Sequence, residues 1–442
     1  MHHALRHAKL APVVLALFVL GFTLTTDTAT GRATITCGKT KPARCVHTST
    51  IPTATTATTT MGTTGTTTGT TTTTATITTA TTMTATTTTA TTTGNGGATS
   101  GPAWGMAGGY TSSQLTDLAG RGIRVTLVEM SWARAEPQEG IWDEAYFDSV
   151  RSQAASMRAL GLKPILNLGL HHAPPWLLAK AGARFVNESG AAYTASDEAN
   201  LVFARGLRGH AEQYLGKLFT ELGTDWYAIR VGGGHWGELQ YPAQKGADGK
   251  WQWWAFDQNA LAQSPVPSYR PCAGSQAQAA TFLTWYLDAL SEFQNWQVSS
   301  VRRYYAGPIA VLYASWGMRA GDFDKAASAN LCGTSSAEIN GEVQRGYDHA
   351  RHVGAVTDAG VAVWGTWAEQ PGTISYLAGL ADAKGLAKMG ENSGSDDLVK
   401  MTQTIAAAKQ YGLQTLVWIR ASETFCACSG YASIDDYTAL TR

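Results

Sequence analysis

The sequence predicts an α/β protein built as a (β/α)8 TIM barrel, on three observations. From Gly101 onward, short β-rich apolar runs alternate with segments whose apolar residues recur every three or four positions, the order of parallel strands joined by crossover helices. Eight such runs occur, enough to close a barrel, which as one domain takes roughly 250 residues or more. Two short glycine-containing motifs with a glutamate follow the fourth and seventh runs, at the strand ends where this fold carries its chemistry.

The strands are expected near Trp104–Gly108, Arg124–Trp132, Lys163–Leu170, Trp226–Gly232, Pro308–Ser315, Val361–Trp367, Lys388–Glu391 and Gln414–Arg420. The first has the weakest pattern, because Gly and Trp dominate it. Helical periodicity fills Asp143–Leu160, His210–Leu222, Ala277–Trp296, Asn340–Val353 and Asp396–Tyr411. The barrel thus occupies 101–442. Ahead of it, 1–33 has the order of a secretory signal peptide: basic and His residues, an apolar run from Ala11 to Leu24, then small residues. That run is short for a membrane span of about 20 residues; an uncleaved anchor is the alternative. Residues 34–100 are a low-complexity linker, mostly threonine from 48 on, with too little apolar surface to repay the entropy of ordering. It is expected to be a disordered stalk, and O-glycosylation of it is a hypothesis. The chain is therefore expected to be secreted or displayed at the cell surface.

Composition narrows the partners. The formal net charge of the 442 residues is zero, with acids and bases mixed, so no basic face is available for phosphates or anionic lipid, and nucleic acid is excluded as an expected partner. Tryptophans cluster (Trp251, Trp253, Trp254; Trp364, Trp367), which suits stacking on sugar rings; packing of a large barrel accounts for a share of them. Six cysteines in an exported chain favour disulfides. Cys37 and Cys45 are close in sequence, while Cys272, Cys332, Cys426 and Cys428 follow strands and would staple rim loops. Zinc is the sharper alternative, but the usual CxxC spacing is missing.

The two motifs are GGGHWGELQYP (232–242), with Glu238, and GENSG (390–394), with Glu391. A carboxyl pair on the rim is the minimal machinery for cutting a glycosidic bond: one acid protonates the leaving oxygen, the other carboxylate activates water or attacks. Glu238, collared by Trp236, Gly237 and Tyr241, reads as the acid, since a partly apolar collar favours its protonated form. Glu391, with Asn392 beside it, reads as the base; capping of the next helix is its structural alternative. Substrate-binding candidates follow from rim position: Glu129 and Trp132 after the second strand, His171 and His172 after the third, Trp236 and Tyr241 around the acid, Trp316 after the fifth, Thr366 and Glu369 after the sixth, Asn392 after the seventh and Arg420 after the eighth. Glu369 is the rival second carboxylate, Glu129 has a salt bridge to Arg124 or Arg420 as its plain explanation, and Glu136 with Pro137 reads as a turn device. No cofactor is required. Calcium at Asp322, Asp324, Asp396 or Asp397 competes with helix capping.

These residues resemble a known family. GELQYP resembles the GELRYP-type motif of beta-amylases, and GENSG their GEN motif; GKWQWWAFDQNALAQ (249–263) and LQTLVWIRASE (413–423) are similar to neighbouring stretches of that family. The resemblance covers the C-terminal half of the barrel and implies inverting hydrolysis of α-1,4-glucan, with Glu238 as general acid and Glu391 as general base. The N-terminal half departs from it. LHHAPPWLLA (170–179) keeps only His171 of the expected loop, and MSWARAEPQEGIWD (130–143) with HAPPWL (172–177) resembles family 42 beta-galactosidases. Those are retaining and place an Asn before the acid, where this chain has Gly237. A retaining β-glycosidase using the same pair is therefore the alternative, and a non-catalytic carbohydrate-binding surface protein is the alternative from another class.

Overall fold

A computed structural model gives the structure of the chain and describes residues 101–442 apart from Gly109, 334–336, 395–396 and 428–429. The expected signal segment and linker lie outside the described residues, as do Cys37, Cys45, Asp396 and Cys428.

Eight parallel strands close a barrel: β1 (Ala103–Met106), β2 (Val125–Glu129), β3 (Lys163–Asn167), β4 (Ile229–Val231), β5 (Ile309–Tyr313), β6 (Val361–Gly365), β7 (Ala387–Glu391) and β8 (Thr415–Trp418). Each pairs with the next, and β8 returns to β1 with Ala103 opposite Thr415 and Met106 opposite Trp418. All eight expected strands are present. Most end earlier than expected, because the residues assigned to their C-terminal ends turn away into rim loops.

The strands are buried on both sides, which is why they read as nearly continuous apolar runs. One cluster, with Val125, Leu127, Ile165, Ala228, Leu312, Trp364, Met389 and Val417, fills the barrel interior. The alternate residues, among them Val128, Leu166, Ile229, Val311 and Val363, pack outward into the cluster that includes the surrounding helices. Each such side chain contributes about 1.5–3 kcal/mol of burial.

The helices start at side chains able to hold their free amides. Asp143 accepts from the Tyr146 amide at 2.9 Å and opens Glu144–Ala159. Ser275 and Gln278 form a capping box that opens the long helix Gln276–Arg302. The expected helix over 340–353 is two helices, Ala337–Arg345 and His349–Gly354. Gly346 breaks it: its φ is +81°, and an added Cβ there would lie 3.2 Å from the Tyr241 ring, so the chain turns sharply where a side chain has little room.

Among the expected rim disulfides, Cys272 and Cys332 are joined, linking the loop after β4 to the one after β5 across 60 residues of sequence. Replacing both by Ser should cost about 2–4 kcal/mol. Thermal denaturation of the oxidised protein should show a clear fall in Tm; an unchanged Tm would mean the bridge closes a loop already held by packing.

Candidate active site

The segment carrying Glu238 folds tightly because glycine occupies each point where the backbone passes itself. A Cβ on Gly232 would lie 2.1 Å from the Gly237 carbonyl oxygen, and one on Gly234 would lie 2.5 Å from that of Gln240. The turn closes with Gly234 N–H donating to Glu238 O at 2.9 Å, and Leu239 N–H then donates to Leu312 O at 2.9 Å, hooking the segment onto β5. Trp236 pays the conformational cost: its φ of 56° is left-handed, of order 1–2 kcal/mol for a non-glycine residue, and its ring is 72 % exposed. Glu238 itself is 8 % exposed. The Thr366 hydroxyl donates to its Oε1 at 2.7 Å, and Gln240 Nε2 donates to its Oε2 at 2.8 Å. Tyr347 in turn donates to Gln240 Oε1 at 2.6 Å.

Glu391 is the last residue of β7 and, like Met389 two residues before it, belongs to the inward-facing set. It is 7 % exposed. Arg230, in the middle of β4, donates from Nη2 to Glu391 Oε1 at 3.1 Å and lies 4.9 Å over the Trp364 ring. The Asn392 side chain accepts from Ile419 N–H at 2.7 Å, tying the end of β7 to that of β8. Asp397, not Glu391, caps the following helix, accepting from Lys400 N–H at 2.8 Å.

Burial pushes the Glu238 carboxyl up to about 7; the Thr366 hydrogen bond opposes the rise and the negative charge of Glu391 adds to it. Burial also raises Glu391, against the pull of Arg230 and with a contribution from Glu129. Each carboxyl is thus close enough to other charged groups for their charges to be felt.

The other expected site residues separate into three groups. Trp132 and Tyr241 are fully buried and are corrected here to packing residues. Trp132 stacks on Tyr214 and donates to Glu136 at 2.8 Å, while Tyr241 stacks on Tyr286 at 3.8 Å and donates to its carbonyl. Thr366, Glu369 and Asn392 are buried and bond protein groups: Glu369 accepts from Ser393 N–H at 3.0 Å and from its hydroxyl, which holds the loop after Glu391. Glu129, His172, Trp236, Trp316 and Arg420 are exposed. Glu129 makes no ion pair among the described residues, and Trp316 meets Trp367 edge-on at 6.2 Å. His171 is half-buried, 3.2 Å from where a Cβ on Gly237 would stand, and burial with the adjacent His172 pushes it down to about 3, so it is neutral. Glu136 accepts from Gly140 N–H at 2.8 Å, as a turn device does.

Arg230, Gln240, Tyr347 and the buried Glu198, whose Oε1 lies 2.7 Å from His235 Nδ1, escaped the sequence reading. Arg230 carried a signal: it stands two residues after Ala228, on the inward parity, in an apolar run.

Neither a protein-family model nor a curated protein sequence matches the chain. Solved structures share its fold. The catalytic domain of beta-amylase from Paenibacillus polymyxa aligns at a TM-score of 0.62 and 15 % identity, over 77 % of this chain and 97 % of that one. The beta-galactosidases from Marinomonas ef1 and Halorubrum lacusprofundi align at TM-scores of 0.53 and 0.51, with 13 % and 10 % identity, each over 76 % of this chain. The chain spans 58 % and 57 % of those two proteins, and at such identities the likeness establishes the barrel fold.

Two outcomes test the electrostatics. A folded-state value above the ordinary 4.5 means that the Glu238 contribution to stability is fully present below about pH 4.5 and is lost as pH rises through about 7. Glu238→Gln should therefore be more stable than the wild type at pH 8, by up to about 3 kcal/mol, and nearly equal to it at pH 4.5; equal Tm values at both would contradict the raised value. Arg230→Met strands a buried carboxylate and should destabilise by about 3–5 kcal/mol at pH 8. The loss should shrink at pH 5, where Glu391 can take up a proton; a loss independent of pH would show that Arg230 serves packing alone.

Proposed function

We propose that the chain is an exported glycoside hydrolase that cleaves O-glycosidic bonds of an oligo- or polysaccharide, with Glu238 as general acid and Glu391 as general base. The observation that carries the reading is the pair of buried rim carboxyls in unlike settings. Among the described residues Glu238 has no cationic hydrogen-bond partner, and burial puts it at about 7, so it holds a proton to give near neutrality. Glu391 is held by the Arg230 guanidinium, which favours its charged form against the effect of burial.

In the beta-amylase-like form of the proposal, the substrate is an α-1,4-glucan and the anomeric centre inverts. Glu238 delivers its proton to the glycosidic oxygen as the bond to the anomeric carbon breaks. Water attacks that carbon from the opposite face and gives a proton to Glu391; exchange with solvent returns both groups to their starting states. Thr366 and Gln240 fix the acid in place, and Arg230 and Asn392 the base, so the pair is positioned before substrate arrives. The exposed Trp236 and Trp316, after the neighbouring strands β4 and β5, supply apolar faces for sugar rings. No step requires a cofactor. The motifs around Glu238 and Glu391 support this form, together with a fold shared along nearly the whole of the Paenibacillus polymyxa domain.

A retaining β-glycosidase of the beta-galactosidase type, using the same pair with Glu391 as nucleophile, is the second reading. It is favoured by residues 130–143 and 172–177 and by the fold shared with the two beta-galactosidases. Proton NMR of the first product anomer decides between them. Early β-maltose from maltooligosaccharides, lost in Glu238→Gln, is the expected outcome; β-galactose released with retention from a β-galactoside would replace it with the second reading, and no reducing sugar from either would remove the proposed function.

A further inference from the structure

One sizeable cavity of the described residues lies away from the carboxyl pair. It measures about 530 Å³, within the about 300–1,000 Å³ of small-molecule sites, and it opens between the loops that follow β3, β4 and β5. Its walls include Glu188, Trp251 and Gln252 on one side and Leu331, Val343 and Gln344 on the other, with the Cys272–Cys332 bridge at the edge. Neither glutamate of the pair lines it, nor does any residue that hydrogen-bonds their side chains.

We propose that this cavity is a second carbohydrate site, for a neutral oligosaccharide; the choice of ligand class rests on the reading of the chain as carbohydrate-active. Three observations point there. Two buried amide oxygens among its lining residues, Gln252 Oε1 and Gln344 Oε1, have no hydrogen-bond partner among the described residues. Gln344 is fully buried and its Nε2 is already committed to the Pro242 carbonyl at 3.3 Å, so a small turn of the amide would bring its oxygen to a ligand hydroxyl. An unmet buried acceptor is costly, and hydroxyl groups are donors able to meet it.

The charges lining the cavity are spent on one another or on the protein. Lys250 lies 3.6 Å from Asp248, Lys245 lies 4.9 Å over the Trp251 ring, and Glu188 accepts from Trp253 N–H at 2.8 Å. Two acids thus balance two bases, which disfavours an ionic ligand. Trp251 is also fixed: Arg345 lies 4.6 Å over its ring, and a Cβ on Gly341 would stand 3.2 Å from the indole. With Leu331 and Val343 across the cavity it supplies apolar surface near the two amides, the combination that a sugar, with hydroxyl edges and a C–H face, can satisfy together.

The cavity is also joined to the acid. Gln344 and Arg345 end one helix, Arg345 O accepts from Tyr241 N–H at 3.0 Å, and Tyr347 just beyond reaches Gln240, the partner of Glu238. The test is calorimetric titration of full-length Glu238→Gln, which binds without turnover, with maltohexaose and separately with a β-galactohexaose. Two sites per chain are expected for the accepted sugar. Adding Gln252→Leu, which removes one acceptor, or Ser189→Trp, which fills the exposed mouth, should reduce the number to one. In the wild-type background the same two changes should leave hydrolysis of a trisaccharide within twofold. One site or none in Glu238→Gln, or two sites that persist in both variants, would overturn the second site. Reducing-sugar release by the wild type judges the hydrolase reading separately, so failure of one is distinguishable from failure of the other.

Discussion

The contact on which the site depends is the one between Arg230 and Glu391, 3.1 Å apart with both side chains almost withdrawn from water. Either charge alone at that depth would be expensive, and the pair offsets that cost only in part, since Arg230 Nε and Glu391 Oε2 are buried without a hydrogen-bond partner among the described residues. The barrel supplies the geometry through its alternation. Leu127, Ile165, Ala228, Trp364 and Met389 form an apolar layer, and two residues further along the same strands stand Glu129, Asn167, Arg230, Thr366 and Glu391. One layer excludes water from below; the next concentrates nearly all the polar chemistry. A guanidinium on β4 can therefore meet a carboxylate on β7 only because the sheet closes.

That layering explains what could be read in the chain and what could not. Strands buried on both faces announce themselves as apolar runs, so the barrel was legible, and so was the rim position of Glu238 and Glu391. Arg230 was legible in principle from its parity with Ala228, although a lone cation in a short strand is easily taken for a strand end. Trp132 and Tyr241 are different. Nothing local distinguishes an aromatic that faces a cleft from one that stacks on Tyr214 or Tyr286, whose partners lie far along the chain. The Tyr347 to Gln240 hydrogen bond, spanning 107 residues, was beyond any spacing argument. The split of the helix expected over 340–353 belongs with it, since Gly346 breaks that helix where it approaches Tyr241 and Leu290.

The two glutamates are held by different means, with different freedom. Glu391 ends a strand whose neighbours are fixed on both sides, by Ala368 N–H donating to its carbonyl at 3.0 Å and by Asn392 reaching β8. It has little backbone freedom to move. Glu238 instead sits in a loop of glycines and one left-handed tryptophan, secured by turn hydrogen bonds and by its own side-chain partners. Glu238 therefore relies on Thr366 and Gln240 for its place more than Glu391 relies on Arg230, because Glu391 is also held by its strand.

The two carboxyls feel their neighbours. The negative charge of Glu391 is one of the reasons Glu238 is raised, and that of Glu129 contributes to raising Glu391. Arg230 breaks the symmetry. It hydrogen-bonds Glu391, whereas Glu238 is met by a hydroxyl and an amide, so the first ionisation falls to Glu391 and the retained proton to Glu238. The proposed assignment of acid and base thus draws on which strand carries the arginine.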